Sequence, residues 1–204
     1  MDEKKRLEIM KLCKKIEEKN GEGSIYSLGS KKANMNIPRI STNIEDLDFV
    51  LGGGIPKGRI MEIYGPESSG KTSLGLHLCG LNDMALYVAA EGTFDAERAR
   101  TLGNKPKQLL VYRPRYGEDA LDRVMEFTKT GIPLIVVDSV PALMPKEDYD
   151  KVDKSLENEH RIGGVARLLN KALPVLEREV EKSGTTIIFI NQVRDKMNAM
   201  LFGE

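Results

Sequence analysis

Five apolar runs recur after residue 57 and predict the strands of one sheet. The runs are GRIMEIYG (58–65), MALYVAA (84–90), QLLVYR (108–113), PLIVVDSV (133–140) and TTIIFIN (185–191). Patterns typical of helices lie between them, near residues 70–81, 95–102, 117–130 and 160–182. Strands that are almost wholly apolar and alternate with helices indicate a parallel sheet covered on both faces. The predicted architecture is therefore α/β and doubly wound, with Pro174 kinking the last helix or ending its first half.

The first 36 residues differ in character from the rest. Residues 4–19 carry a narrow apolar stripe through Leu7, Met10 and Cys13, which predicts a short amphipathic helix that stops at Asn20-Gly21. Residues 24–29 (SIYSLG) alternate as a strand does, and a polar connector follows. We therefore expect an N-terminal helix and strand over residues 1–36 and a principal domain over residues 37–204.

Composition limits the classes of partner. The 204-residue chain has 31 Lys plus Arg and 31 Asp plus Glu, so any site for a polyanion must be local. No apolar stretch approaches the ~20 residues of a membrane helix and the N-terminus is charged, which favours a cytoplasmic protein without a membrane partner. The two cysteines lack the spacing of a disulfide framework or a zinc site, so we interpret them as small apolar side chains.

The segment GPESSGKT, from Gly65 to Thr72, fits the phosphate-binding pattern G-x-x-x-x-G-K-[ST]. It directly follows a predicted strand and directly precedes a predicted helix, which is the context that the motif requires. Its glycines let backbone N–H groups point at phosphate oxygens, and the helix adds its positive dipole end. Lys71 would reach the β- and γ-phosphates, and the Thr72 hydroxyl would bind Mg²⁺. The candidate nucleotide-binding residues here are Gly65, Pro66, Glu67, Ser68, Ser69, Gly70, Lys71, Thr72 and Ser73.

Polar side chains at the carboxyl ends of three other predicted strands complete a candidate site. Asp138 ends LIVVD, where an acid would be costly to bury unless it faces Mg²⁺. Glu91 ends YVAAE and is the candidate to orient or deprotonate an attacking water. The pair Asn191-Gln192 ends the last strand, and a neutral amide there could bond to the γ-phosphate and lose that bond after hydrolysis.

Four segments carry a family resemblance: RISTNIEDLDFVLGGGIPKGRIMEIYG, GPESSGKTSL, IVVDSVPALMPK and IIFINQVRDKM. Together they resemble the bacterial RecA recombinase family, from about Gly21 to the last residue. The resemblance implies a RecA-like P-loop ATPase core that uses ATP and Mg²⁺. It also implies a DNA-dependent ATPase that forms a filament on single-stranded DNA and promotes homologous pairing and strand exchange in recombination, DNA repair and the SOS response.

The resemblance assigns roles by position. The catalytic residues it implies are Lys71, Glu91 and Gln192, the magnesium-side residues are Thr72 and Asp138, and the adenine-side residues are Asp95 and Arg98. Arg98 departs from the family, which has a tyrosine there. A planar guanidinium can still stack on a base, so adenine binding remains the expectation.

Two loops and one helix of this family line the DNA path. The first loop would span about 146–163 and the helix after it would carry Arg167 and Asn170 toward phosphates, while Arg194 and Lys196 would begin the second loop. The first loop is more acidic here than a DNA contact favours, and Pro174 replaces a basic residue. Ordinary solvated surface charge is the alternative interpretation of Arg167, Arg194 and Lys196, and each lost phosphate contact would weaken DNA binding.

The resemblance also implies that the N-terminal helix and strand link neighbouring protomers in a filament, whereas the residues alone equally allow an intramolecular cover. Family chains continue past the position of Glu204 with the rest of the second loop and further core strands. Two hypotheses follow: a recombinase ATPase, or a truncated nucleotide-binding protein that interacts with recombinase filaments and hydrolyses ATP weakly. The NQVRDKM segment disfavours a third, a hexameric helicase.

Overall fold

A computed structural model describes residues 2–21, 24–30, 37–152 and 163–193 of the chain. The chain divides into two compact units, Met1–Pro38 and Arg39–Glu204.

The first unit contains helix α1 (Glu3–Asn20), and no residue of this helix is buried. The Gly21 N–H closes the helix by donating to the Glu17 carbonyl oxygen at 2.9 Å, as the Asn20-Gly21 stop predicts. The strand predicted at residues 24–29 is wrong, because this segment forms bends and a turn. Alternating side chains do not make a strand without a neighbouring strand to hydrogen-bond with.

The second unit alternates strands and helices. Its elements are β1 (Arg39–Ile40), α2 (Glu45–Val50), β2 (Ile55–Pro56), β3 (Ile60–Gly65), α3 (Lys71–Gly80), β4 (Ala85–Ala89), α4 (Ala96–Thr101), β5 (Leu109–Tyr112), α5 (Gly117–Lys129), β6 (Leu134–Asp138), a 3₁₀ turn (Val140–Ala142), α6 (Lys146–Val152), α7 (Gly164–Ser183) and β7 (Thr186–Gln192). All five predicted core strands and all four predicted helices of this unit are present, with ends that differ by a few residues.

The main sheet has five parallel strands in the order β3-β7-β6-β4-β5. Every residue of β4 and β6 is buried, because both strands lie inside the sheet and are covered on both faces. Side chains alternate between the faces with a period of two residues. One set packs on α5 and α7 around Val124 and Leu176, and the other packs on α3 and α4 around Leu76 and Ala99. The predicted doubly wound α/β fold is confirmed.

Helix α3 lies close to the sheet at Gly75. A Cβ added to Gly75 would lie 3.0 Å from the Ile190 Cδ1 atom and 3.1 Å from the Val136 Cγ1 atom. The missing side chain therefore lets the helix that follows the phosphate-binding loop rest directly on two central strands. Helix α7 continues past Pro174, so the alternative in which this proline ends the helix is wrong.

Sequence patterns gave no sign of the short elements between residues 39 and 56. Strands β1 and β2 pair in antiparallel fashion over two residues each. Arg39 on β1 holds the segment between α2 and β2, because its Nη1 atom donates to the carbonyl oxygens of Leu51 and Gly54 at 2.7 and 2.9 Å. Elements of two residues are too short to produce a readable period. Among the described helices, none has both the length and the apolar character needed to cross a membrane.

Candidate nucleotide-binding and catalytic site

The carboxyl ends of β3, β4, β6 and β7 meet at one edge of the sheet because all of these strands are parallel. A cleft of about 470 Å³ opens at this edge. Its lining residues are Glu67, Ser68, Ser69, Gly70, Lys71, Thr72, Ser73, Leu76, Tyr87, Glu91, Thr93, Phe94, Asp95, Arg98, Asp138, Ile190 and Gln192. The structure thus brings most of the candidate nucleotide-site residues into one cavity, of a size typical for small-molecule sites.

The segment from Gly65 to Gly70 connects β3 to α3 as a tight loop. Gly70 precedes the first helical residue with a φ of 90°, a left-handed conformation that favours glycine. The Lys71 ammonium curls over the loop and donates to the carbonyl oxygens of Gly65 and Pro66 at 2.9 and 2.6 Å. It also lies 3.5 Å from the Ser69 hydroxyl. Helix α3 therefore begins at the loop with its N–H groups and a lysine directed to the same place.

Thr72 and Asp138 are joined across the cleft. The Thr72 hydroxyl donates to the Asp138 Oδ2 atom at 2.7 Å, and the Tyr87 hydroxyl makes a short hydrogen bond to the same oxygen. Asp138 is buried, as its place at the end of an apolar strand predicts. Burial, followed by the hydrogen bond to Asp138, raises the pKa of Tyr87 far above its usual range, so the phenol remains a donor.

Glu91 lies two residues beyond β4 and is held beside the tip of β6. Its backbone N–H donates to the Asp138 carbonyl oxygen at 3.2 Å. Its carboxylate Oε1 atom accepts hydrogen bonds from the Ser139 hydroxyl at 2.6 Å and from the Gln192 side-chain amide at 3.4 Å. The three strand-tip groups singled out from the sequence, Glu91, Asp138 and Gln192, therefore belong to one connected cluster.

The tip of β7 is anchored to β3 and to the phosphate-binding loop. The Asn191 Nδ2 atom donates to the Glu62 Oε1 atom at 2.8 Å, and its Oδ1 atom accepts from the Gln192 backbone N–H at 2.8 Å. One residue later, the Val193 N–H donates at 3.2 Å to the Gly65 carbonyl oxygen, which also accepts from Lys71. The segment that holds Gln192 is thus bonded to the loop that would hold the phosphates.

Asp95 and Arg98 occupy the other end of the cleft. The Asp95 Oδ1 atom accepts from the Arg98 backbone N–H at 2.9 Å and caps α4. The Arg98 guanidinium makes a short hydrogen bond to the Ser73 hydroxyl on α3. Both predicted adenine-side residues are therefore exposed at the same mouth of the cavity, beside the Phe94 ring.

Two of the residues predicted to contact DNA, Arg167 and Asn170, do not line this cleft. Arg167 and Asn170 are exposed on α7, and Arg167 lines a separate cavity of about 160 Å³ together with Lys171 and with carboxylates. These carboxylates are Glu118, Glu147 and Asp148. The predicted first loop begins as helix α6, and its residues 153–162 lie outside the described part of the chain, as do Arg194 and Lys196.

Sequence reasoning missed Tyr87, Phe94 and Glu62 as contributors to this site. Tyr87 is embedded in an apolar run, where a tyrosine is most simply a core residue. Its signal is positional: Tyr87 stands opposite Val136 in the strand register, so Asp138 lies two residues farther along the same face. Glu62 alternates outward from β3 and its partner Asn191 is distant in sequence, so only the strand pairing brings the two together.

A phosphate-binding loop between the first strand and helix of a doubly wound parallel sheet defines the class of P-loop α/β proteins. Residues 7–204 match the family model described as the RecA N-terminal domain, and the chain belongs to this family. It is 42% identical over 208 residues to Protein RecA of Nitratidesulfovibrio vulgaris, covering 99% of this chain and 57% of the relative. It is 43% identical over 209 residues to Protein RecA of Campylobacter hominis and to that of Helicobacter pylori strain P12, covering 100% of this chain and 59% of each relative. The chain thus spans less than two thirds of the length of these curated relatives.

Proposed function

We propose that this chain binds ATP in the cleft and hydrolyses it as the ATPase part of a DNA-dependent recombinase. The observation that carries the proposal is the cluster of Glu91, Ser139 and Gln192 beside the phosphate-binding loop. A structural role for Glu91 would not require an exposed carboxylate at the mouth of a nucleotide-sized cleft. The family relationship supports the recombination and repair context.

The residues at the cleft fit a magnesium ion. Thr72 offers a hydroxyl and Asp138 a carboxylate, which are the hard oxygen donors that Mg²⁺ prefers. Mg²⁺ takes few protein ligands and several from phosphates and water, so these two oxygen donors suffice for its site. Bound there, Mg²⁺ would neutralise charge on the phosphates during transfer.

The side chains of the cleft would divide the reaction between them. Glu91 would orient a water and accept its proton while the water oxygen forms a bond to the γ-phosphorus. The bond from that phosphorus to the β,γ-bridging oxygen breaks, which yields ADP and phosphate. Lys71 and the loop N–H groups would stabilise the charge on the phosphate oxygens, and Ser139 would hold Glu91 in place. Asp95 and Arg98 would face the base at the other end of the cleft.

Gln192 would couple the nucleotide to DNA. Its amide lies 3.4 Å from Glu91 and is carried on the last strand directly before Arg194 and Lys196. A γ-phosphate that attracts this amide away from Glu91 would shift the backbone that follows it. We propose Arg194 and Lys196, with Arg167 and Asn170 on α7, as contacts to single-stranded DNA, and residues 1–36 as the arm that links protomers of a filament.

ATP turnover by the full chain, with and without single-stranded DNA, tests the proposal. We expect magnesium-dependent turnover that DNA increases, loss of nucleotide binding with Lys71→Ala, and retained binding with turnover reduced about 10²-fold or more for Glu91→Gln. Wild-type turnover by Glu91→Gln would contradict the catalytic assignment. A rate that DNA leaves unchanged, in a chain that also fails to retain labelled single-stranded DNA, would contradict the coupling.

A further inference from the structure

Tyr87 is a buried polar side chain that the proposed reaction does not use. It lies in the middle of β4, only 3% exposed, and its ring packs among apolar residues on the α3 face of the sheet. Tyr87 nevertheless lines the cleft, and its hydroxyl donates to the Asp138 Oδ2 atom. A buried tyrosine usually has a hydrogen-bond partner, so the bond alone does not indicate a function. What indicates a function here is that the partner is Asp138, a residue of the cleft.

The strand register explains why the partner is Asp138. In the parallel pair of β4 and β6, Tyr87 stands opposite Val136, and Asp138 follows two residues later on the same face. Two residues of a strand advance the chain by about 6.6 Å, a distance that a tyrosine side chain can span along the sheet. The ring therefore fills the core under α3, while the hydroxyl reaches the tip of the neighbouring strand.

Two hydroxyl groups converge on one carboxylate oxygen. Thr72 donates to Asp138 Oδ2 from α3, and Tyr87 donates to it from β4. A hydroxyl has one proton and two lone pairs, so Thr72 can keep this bond while its oxygen faces a cation. The two donors come from different elements and fix the carboxylate, whose orientation would otherwise depend on a single exposed threonine.

We infer that Tyr87 is a positioning residue for the magnesium site, which sets the orientation of Asp138 through its phenol hydroxyl. The inference rests on the proposed function, because it concerns the ion that would accompany ATP. Partners that orient a metal ligand commonly change metal affinity by about 10- to 100-fold when they are lost. The aromatic contact between Tyr87 and Phe94, with ring centroids 5.6 Å apart, also ties this residue to the base-side wall of the cleft.

The variant Tyr87→Phe removes the hydroxyl and keeps the ring in the core. Tyr112→Phe is the matched control. Tyr112 lies on the adjacent strand β5 and does not line the cleft, and its hydroxyl also donates to an aspartate, Asp119, at 2.7 Å. Binding of a fluorescent ATP analogue is measured by titration with Mg²⁺ and also in EDTA. Binding of Mn²⁺ in the presence of ADP, measured by electron paramagnetic resonance, reports on the cation directly.

We expect Tyr87→Phe to raise the half-saturating Mg²⁺ concentration about tenfold, with a parallel loss of Mn²⁺ affinity and an unchanged affinity in EDTA. Tyr112→Phe should match the wild type in all three measurements. In an Asp138→Asn background, Tyr87→Phe should cause no further change, because its effect passes through the carboxylate. The ratio of affinities with and without Mg²⁺ does not depend on the folded fraction, so partial unfolding cannot imitate this result.

An unchanged magnesium dependence in Tyr87→Phe would overturn the inference and leave the proposed function standing. An equal loss of affinity with Mg²⁺ and in EDTA would also overturn it, because that result indicates a purely structural role. A wild-type chain that fails to bind the analogue at any Mg²⁺ concentration would overturn the proposed function, and the inference with it.

Discussion

The Ser139 hydroxyl donates to the Glu91 carboxylate, with 2.6 Å between the Oγ and Oε1 atoms. Ser139 is buried just after β6 and follows Asp138 directly, so a single strand tip carries Asp138 and also holds Glu91. Asp138 bonds to Thr72 at the proposed magnesium site, and Ser139 bonds to Glu91, the candidate base. A shift of this tip would therefore disturb both the proposed metal site and the proposed base.

Loss of the Ser139 hydroxyl should slow turnover without weakening nucleotide binding. We expect Ser139→Ala to lower kcat about tenfold, because Glu91 loses the 2.6 Å hydrogen bond that fixes its orientation and retains the longer contact from Gln192. Ser183→Ala, at the end of α7, is the control and should retain the wild-type rate. Steady-state ATPase assays and nucleotide titrations measure the two quantities. A Ser139→Ala variant with normal kcat would show that the hydroxyl only satisfies a buried polar group.

The hydrogen bond between Asn191 and Glu62 should hold the carboxyl end of β7 against β3. Asn191→Ala removes both the 2.8 Å bond to Glu62 and the acceptor of the Gln192 N–H. We expect faster hydrogen exchange of the amides at 191–193 and a smaller change in their exchange on addition of nucleotide. Glu62→Gln is the control, since its amide oxygen can still accept from Asn191. Exchange rates equal to those of the wild type would contradict a role for this bond in holding Gln192.

The order of strands and helices could be predicted because β4 and β6, which lie within the apolar runs at 84–90 and 133–140, are buried on both faces and leave a strong pattern. The site could be predicted where a motif or a strand tip marks a residue, as for Lys71 and Asp138. Tyr87 could not, because its role depends on register with a strand that follows about 50 residues later. The strand predicted at 24–29 is wrong for a related reason, because an alternating pattern forms a strand only where another strand pairs with it.

Gly75 should be intolerant of any side chain. In Gly75→Ala the new methyl group would lie 3.0 Å from Ile190 and 3.1 Å from Val136, both in the buried core. We expect a net loss of about 1–2 kcal/mol in the free energy of unfolding, because strain in the packed core exceeds the roughly 1 kcal/mol that alanine gains over glycine inside a helix. Gly29→Ala is the matched control, since its added Cβ meets nothing within 4 Å and its φ is not in the left-handed region. Urea unfolding measures both, and a Gly75→Ala variant as stable as Gly29→Ala would contradict the close approach of α3.

Asp48 should stabilise the fold at neutral pH and lose this effect in acid. Hydrogen bonds from the Ser41 hydroxyl and then from the Thr42 N–H and hydroxyl lower the pKa of the Asp48 carboxyl below its ordinary value of 3.8. A group whose pKa is lower in the folded state binds protons more readily when unfolded. Its contribution is therefore complete above 3.8 and disappears as the pH falls through the lower pKa of the folded protein.

The comparison of the wild type with Asp48→Asn isolates this effect. We expect the wild type to be the more stable protein at about pH 7 and its advantage to shrink only below pH 3.8. Asp150→Asn is the control, because Asp150 is an exposed residue of α6. Urea unfolding followed by circular dichroism between about pH 7 and pH 2 measures the difference. An advantage that stays constant across this range would show that the Asp48 bonds do not depend on its charge.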